Sequence, residues 1–247
     1  MPKPFMAELD TSHLMPGAGY ASGHGADTLT DLVRLALRRD ILSLVLAPGA
    51  HLKLRELKER YNVGATPIRE ALWSLAGEGL IENEAQVGFR VADASRDRLL
   101  GLAGMRRHIE PWALELSMTK ASPRWLAAVE EAYARFTPKD AMVGDQRAID
   151  ADWEDAHRNF HMALLSGCEM PALLRDVSRW YEETDRYRRL ISPSLGYTVV
   201  NKVDHDVLYD AVMAGNRELA IETLRQHIME TTKRHGSYFD GVEESSD

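Results

Sequence analysis

Residues 54–91, LRELKERYNVGATPIREALWSLAGEGLIENEAQVGFRV, read as a helix, a tight turn, a second helix and two short strands. Leu54, Leu57 and Tyr61 stand at helical spacing, and Asn62 and Gly64 are turn residues that end the run. Thr66-Pro67 predicts a fresh helix start, with a hydroxyl cap and proline at the first helical position. Ile68, Ala71, Leu72, Leu75 and Ala76 make one apolar face and leave Arg69, Glu70 and Trp73 on the other; Gly77 and Gly79 stop the helix. Residues 80–83 and 87–91 predict two strands around a polar turn, with Gly88 allowing unusual backbone angles near its tip. A helix-turn-helix followed by a β-hairpin wing is a DNA-reading module whose second helix enters the major groove.

Upstream, Ile41, Ala47-Pro48-Gly49-Ala50-His51-Leu52 and Arg55-Glu56-Leu57 lead into Thr66-Pro67-Ile68-Arg69-Glu70-Ala71-Leu72, Gly79-Leu80-Ile81 and Gly88-Phe89. Over residues 28–92 this string closely resembles the winged helix of the GntR family of bacterial transcription regulators. The resemblance implies that Arg55, Thr66 and Arg69 touch DNA, with Gly88 contributing from the wing. The family usually has Ser-Arg ahead of Thr-Pro; Gly64-Ala65 stand here instead, removing one contact.

At 247 residues, 45% hydrophobic and 28% charged, the chain has room for two modest domains with their own cores. One cysteine, Cys168, excludes an internal disulfide and fits a reducing cytoplasm. No apolar run approaches the ~20 residues a membrane span needs, and the N-terminus lacks a secretory apolar region. The net charge of −8 looks wrong for a DNA binder until it is divided. Residues 26–92 hold nine basic and nine acidic side chains, while residues 93–247 hold 20 basic against 27 acidic. The acidity therefore belongs to the C-terminal region, and neutralisation of phosphates per protomer is modest. A homodimer doubles it.

Residues 1–25 carry no periodicity and read as a flexible arm. The first helix of the DNA-binding domain, residues 26–92, is expected from Thr28 to about Leu46. From Ser95 the pattern is helical throughout: a long helix with Pro111 as a kink, a second from Pro123, a loop at 137–147, then helices at 148–166, 171–190, 200–214 and 217–238, before an acidic tail at 241–247. The expected fold is mainly α, an N-terminal winged helix-turn-helix followed over residues 93–240 by an antiparallel six- to seven-helix bundle that binds an effector and dimerises.

His157 and His161 share a helical face at i, i+4, and His205 and His227 lie on two further helices. A bundle can aim such side chains into one cavity, although an isolated histidine is more often a surface or hydrogen-bonded residue. Phe160-His161-Met162-Ala163-Leu164, Asp204-His205-Asp206-Val207-Leu208-Tyr209 and Leu224-Arg225-Gln226-His227-Ile228 resemble the all-helical effector domain of the FadR-type branch of the same family. That resemblance implies a divalent metal, zinc, nickel or similar, held by His161, His205 and His227, with His157 where the family has aspartate. Four neutral imidazoles leave the metal charge uncompensated, which favours an anionic ligand, and Glu154 stands one turn before His157 as a further carboxylate. Arg106 matches the arginine of the domain's first helix and is the expected partner of a small carboxylate effector. Residues 154–161 and 185–190 look most like glutarate-responsive repressors, so a dicarboxylate such as glutarate is the expected effector. Two alternatives stay open: a regulator that answers to the metal alone, and a bundle metalloenzyme. Glu154-x-x-His157 is half of a di-iron motif, but the sequence holds no second Glu-x-x-His.

Overall fold

A computed structural model describes residues 28–84, 86–136, 151–195 and 200–243. The arm expected at 1–25 and the loop expected at 137–147 lie outside them. The chain divides into two compact units, Met1–Asp93 and Ala94–Asp247. No helix among the described residues is long and apolar enough to cross a membrane.

The first unit runs α1 (Leu29–Leu42), α2 (Leu54–Tyr61), α3 (Ala65–Gly77), β1 (Ile81–Glu84) and β2 (Gly88–Val91). Thr28 caps α1 in a reciprocal box with Asp31. Val33, Ala36, Leu37 and Ile41 then face Leu57, Tyr61, Ile68, Leu72, Leu75 and Val91 in one buried cluster. Each such aliphatic side chain contributes about 1.5–3 kcal/mol by leaving water, and the cluster fixes how α2 and α3 cross. The charge in this core is Asp40, 4% exposed, which accepts from Tyr61 Oη at 2.9 Å and Arg60 Nε at 3.0 Å. The strands pair antiparallel with Ile81 opposite Val91 and Glu84 opposite Gly88.

Two boundaries differ from expectation. α1 stops at Leu42 rather than near Leu46, because Ser43 closes it and Leu44 turns into the left-handed region at φ 64°; Leu46 N–H then bonds back to the Asp40 carbonyl. This turns the chain ahead of Pro48, whose predecessor disfavours helix. α3 begins at Ala65 with Gly64, not Thr66, at the cap position, and no side chain caps it. Thr66 is therefore an exposed first-turn residue.

The second unit is a six-helix bundle among the described residues: α4 (Arg96–Lys120), α5 (Pro123–Arg135), α6 (Ala151–Ser166), α7 (Pro171–Leu195), α8 (Val200–Met213) and α9 (Arg217–Glu243). Its core joins Leu114, Val129, Phe160, Leu164, Val177, Leu208 and Leu224. α7 and α9 outrun their expected ends at 190 and 238. Ile191 is buried beside Tyr187 and Leu99, and Phe239 packs on Tyr187, so apolar contact carries both helices onward; the first three residues of the expected tail continue α9. Gly167 permits the close approach of α6 to its neighbours, since a Cβ there would lie 2.9 Å from Ser117 Cβ and 3.0 Å from the Trp125 ring.

Candidate metal centre and DNA-reading face

α6 turns Phe160 and Leu164 into the apolar core, and the same inward stripe brings His157 and His161 with them. α8 contributes His205 and α9 contributes His227. The structure brings all four expected histidines together: each offers a ring nitrogen, and these atoms lie within 4.8 Å of one another. Exposures are 2%, 1%, 1% and 5% in sequence order. Nε2 of His157, His161 and His205 form a triangle with edges of 3.1 Å. Trp153 stacks on His157, Tyr181 on His161, and Phe136 meets His205 edge-on, so aromatic walls exclude water from the ring nitrogens.

The triangle bears on what the four histidines can hold. A neutral imidazole Nε2 carries either a proton or a lone pair, so three mutual contacts cannot all be donor–acceptor pairs. Burial, followed by the neighbouring His161, holds the His157 imidazole well below its ordinary range. Burial and then His205 and His227 do the same to His161, and burial lowers His227 against the opposing pull of Asp204. The rings thus present lone pairs rather than charge. His157, His161 and His205, with Nε2 atoms 3.1 Å apart, would hold a divalent cation between them, joined by His227. An all-imidazole donor set suits zinc, nickel, copper or iron better than magnesium or calcium. The residues fit a divalent transition metal. Glu154 is not among the donors.

Around the donors lies a buried ionic layer. Arg106, expected to receive the effector, is 6% exposed and already engaged. Its Nε donates to Glu110 Oε1 at 2.5 Å, Nη2 to Oε2 at 3.4 Å, and Nη1 to Thr184 Oγ1 at 3.0 Å. Tyr181 Oη donates to the same Glu110 at 2.6 Å, and the guanidinium lies 4.0 Å over the Tyr181 ring. Arg106 thus acts through its charge on the His161 imidazole but holds a carboxylate of its own, that of Glu110. Glu154 accepts from Arg189 Nε at 2.6 Å and lies 3.9 Å from Arg188, which donates to Asp185 at 2.6 Å. Burial, then Asp185, raises the Glu154 carboxyl to about 7, against the lowering effect of Arg188 and Arg189. Sequence alone does not reveal Asp185 and Glu110 as partners of these arginines, although i, i+4 spacing links Arg106 to Glu110 on one helix.

In the first unit, Arg55, Thr66 and Arg69 are all exposed, and among the described residues no ion-pair partner engages Arg55 or Arg69. With Gly64 as its cap, the α3 N-terminus keeps backbone N–H groups and the Thr66 hydroxyl available to a phosphate. Glu70, beside Arg69, is tied instead to Thr30 Oγ1 at 2.8 Å. Gly88 opens β2 at φ 102°, a conformation L side chains rarely adopt. Arg90 is neutralised by Glu82, Glu84 and Asp93, so the wing adds little positive charge. Trp73 is 57% exposed and meets Phe89 of β2 edge-on at 5.2 Å, a contact that links α3 to the wing.

A winged helix with Arg55 exposed on α2 and Arg69 exposed on the reading helix α3, joined to an all-helical unit with a buried four-histidine cluster, has the makings of a DNA-binding transcription regulator. Residues 29–91 match the bacterial regulatory proteins, gntR family, and residues 102–230 match the FCD domain. The uncharacterized HTH-type transcriptional regulator BphR of Paraburkholderia xenovorans is 35% identical over 78% of this chain and 79% of its own. The HTH-type transcriptional repressor GlaR of Escherichia coli is 29% identical over 78% of this chain and 89% of its own. Among solved structures, E. coli McbR/YncC shares the fold at a TM-score of 0.65 and 20% identity, over 82% of this chain and 94% of that one. The chain belongs to the GntR family, in its FCD-containing branch: it is a DNA-binding transcriptional regulator and not an enzyme.

Proposed function

We propose that this chain is a cytoplasmic repressor that binds a roughly two-fold operator as a homodimer and releases it when a small carboxylate binds at a divalent metal held by His157, His161, His205 and His227. The observation that carries this reading is the four-imidazole cluster, buried, uncharged and gathered from three helices. Its charge balance points to an anion. The buried guanidinium groups of Arg106, Arg186 and Arg188, with Arg158 and Arg189 bonded to Asp185 and Glu154, already outnumber the buried carboxylates of Glu110, Glu154 and Asp185. A divalent ion on neutral ligands then adds two positive charges with no counter-ion, and a carboxylate in the remaining coordination positions supplies one. A dicarboxylate such as glutarate fits the resemblance read in residues 154–161 and 185–190.

Repression agrees with the repressors among its relatives. In the dimer, Arg55, Thr66, Arg69 and Gly88 of each protomer meet one half-site. The effector weakens operator binding only by its preference between two arrangements of the protein, about 1–3 kcal/mol or roughly 5–150-fold. The test is metal analysis of purified protein, then thermal unfolding against small mono- and dicarboxylates, then binding to duplexes selected from a random pool. A melting shift with glutarate that disappears in His161→Ala and accompanies weaker duplex binding is the expected result. Bound metal with no response to any acid would replace the reading by a metal-responsive regulator, an outcome favoured only by the prior engagement of Arg106 with Glu110. Protein that takes up no metal would overturn it.

A further inference from the structure

α9 carries more than one functional side chain on its inner face. His227, Thr231 and His235 follow at i, i+4 and i+8, so one stripe of the helix bears all three. His235 is 7% exposed. Among the described residues, the buried Thr231 Oγ1 and His235 Nδ1 have no hydrogen-bond partner, while His227 Nδ1 faces Asp204 Oδ2 at 3.7 Å. Thr231 is conspicuous beside Thr232, whose hydroxyl donates to the Ile228 carbonyl at 2.6 Å in the usual helical manner. Thr231 leaves that bond unmade. Buried polar atoms without partners are rare unless a ligand, ion or water completes them. The field at this end is positive: Arg188, Arg234 and Arg106, after burial, push the His235 imidazole down to about 3.

We propose that the effector lies along this stripe, one carboxylate at the four-histidine centre and its far polar end received by Thr231 and His235, with Arg188 supplying the positive field. This rests on the proposed function and narrows its ligand class. Thr231 stands about 6 Å along the helix from His227, roughly the span of a dicarboxylate of four to six carbons, and His235 follows one turn further, about 12 Å from His227, where its longer side chain closes the far end. A monocarboxylate of similar length would reach the metal but leave the far end unmet. In this assignment Thr231 and His235 select for the second polar group, while Arg106 remains with Glu110.

The test uses the full-length, metal-loaded protein titrated calorimetrically with glutarate and, separately, with butanoate. Thr231→Val keeps shape and removes the hydroxyl; Thr231→Ser restores it; His235→Gln changes the second group. Bound metal is measured for each. The expected result is a loss of about 3–10-fold in glutarate affinity for Thr231→Val and His235→Gln, the scale of one neutral hydrogen bond. Thr231→Ser should recover it, and butanoate affinity should stay within about twofold throughout. Equal glutarate binding by the wild type and both variants would overturn the inference and leave the proposed function standing. Parallel loss of both acids would also overturn it, since Thr231 and His235 would then not read the far end. Failure of the wild type to bind either acid would overturn the proposed function, and this inference with it.

Discussion

Acid should destabilise the metal-free protein, and the size of the loss follows from the histidine centre. His157, His161, His227 and His235 are all buried, and burial is the largest cause lowering each imidazole in the native state. The unfolded chain protonates these rings near 6.5 while the native chain does not, so stability is complete above that pH and falls as pH drops towards the native values. Between pH 7.5 and 5.5 His157, His161 and His235 each account for about 1.4 kcal/mol, on the order of 4 kcal/mol together, and His227 adds in the same direction. Glu154 works in the opposite sense. Its native carboxyl at about 7, raised from 4.5, takes a proton before the unfolded one does and returns about 1.8 kcal/mol over the same interval. The histidines win by at least about 2 kcal/mol. Urea unfolding of chelator-treated full-length protein, followed by circular dichroism at pH 7.5 and 5.5, measures this directly. His235→Leu should reduce the loss by about one histidine's share, roughly 1.4 kcal/mol, without touching the donor set. A free energy that holds within about 1 kcal/mol, or rises on acidification, would refute the claim that these rings are buried and neutral.

Glu110→Ala strands the Arg106 charge and the Tyr181 hydroxyl in the bundle, and should cost about 3–5 kcal/mol by urea unfolding. The double replacement Arg106→Met with Glu110→Leu should recover most of that, because no buried charge is left unpaired. Arg69→Ala should weaken binding to a selected duplex by about 1–3 kcal/mol, and Arg55→Ala should flatten the salt dependence by about one counter-ion, both read by fluorescence anisotropy over a salt series. Gly167→Ala forces a Cβ to within 2.9 Å of Ser117 and should cost about 1–3 kcal/mol in the same urea assay.

Helical periodicity was enough to place most elements, and where it failed the cause is local. Thr66-Pro67 carries the composition of a cap, yet Gly64 takes that position and the hydroxyl is left exposed for a ligand. Pro193 and the acidic run after Tyr238 look like stops, but long-range packing of Ile191 and Phe239 on Tyr187 extends both helices, and no local pattern reports such a contact. His157 and His161 were readable from their spacing; their meeting with His205 and His227 depended on family resemblance, since helix pairing is non-local. Thr231 and His235 do follow His227 at helical intervals. A threonine and a single histidine, however, say nothing in sequence about missing hydrogen bonds.

The buried ions explain how a ligand at the histidines could be felt beyond them. α6, which carries two of the four donors, is tied to α7 by ion pairs flanking His157. Glu154 pairs with Arg189 at 2.6 Å, and Arg158 donates to Asp185 at 2.9 Å. Asp185 also holds Arg188. These pairs set the register of α6 against α7 and hence the orientation of both imidazoles. An anion drawn towards Arg188 competes with Asp185 and Glu154 for the same guanidinium. Because Glu154 keeps one oxygen unbonded and sits near the midpoint of its titration at neutral pH, that layer can shift charge by taking up one proton. Under the proposed function, effector binding and the α6–α7 pairing would be linked through Arg188, and by reciprocity whatever resets the pairing would alter effector affinity by the same factor.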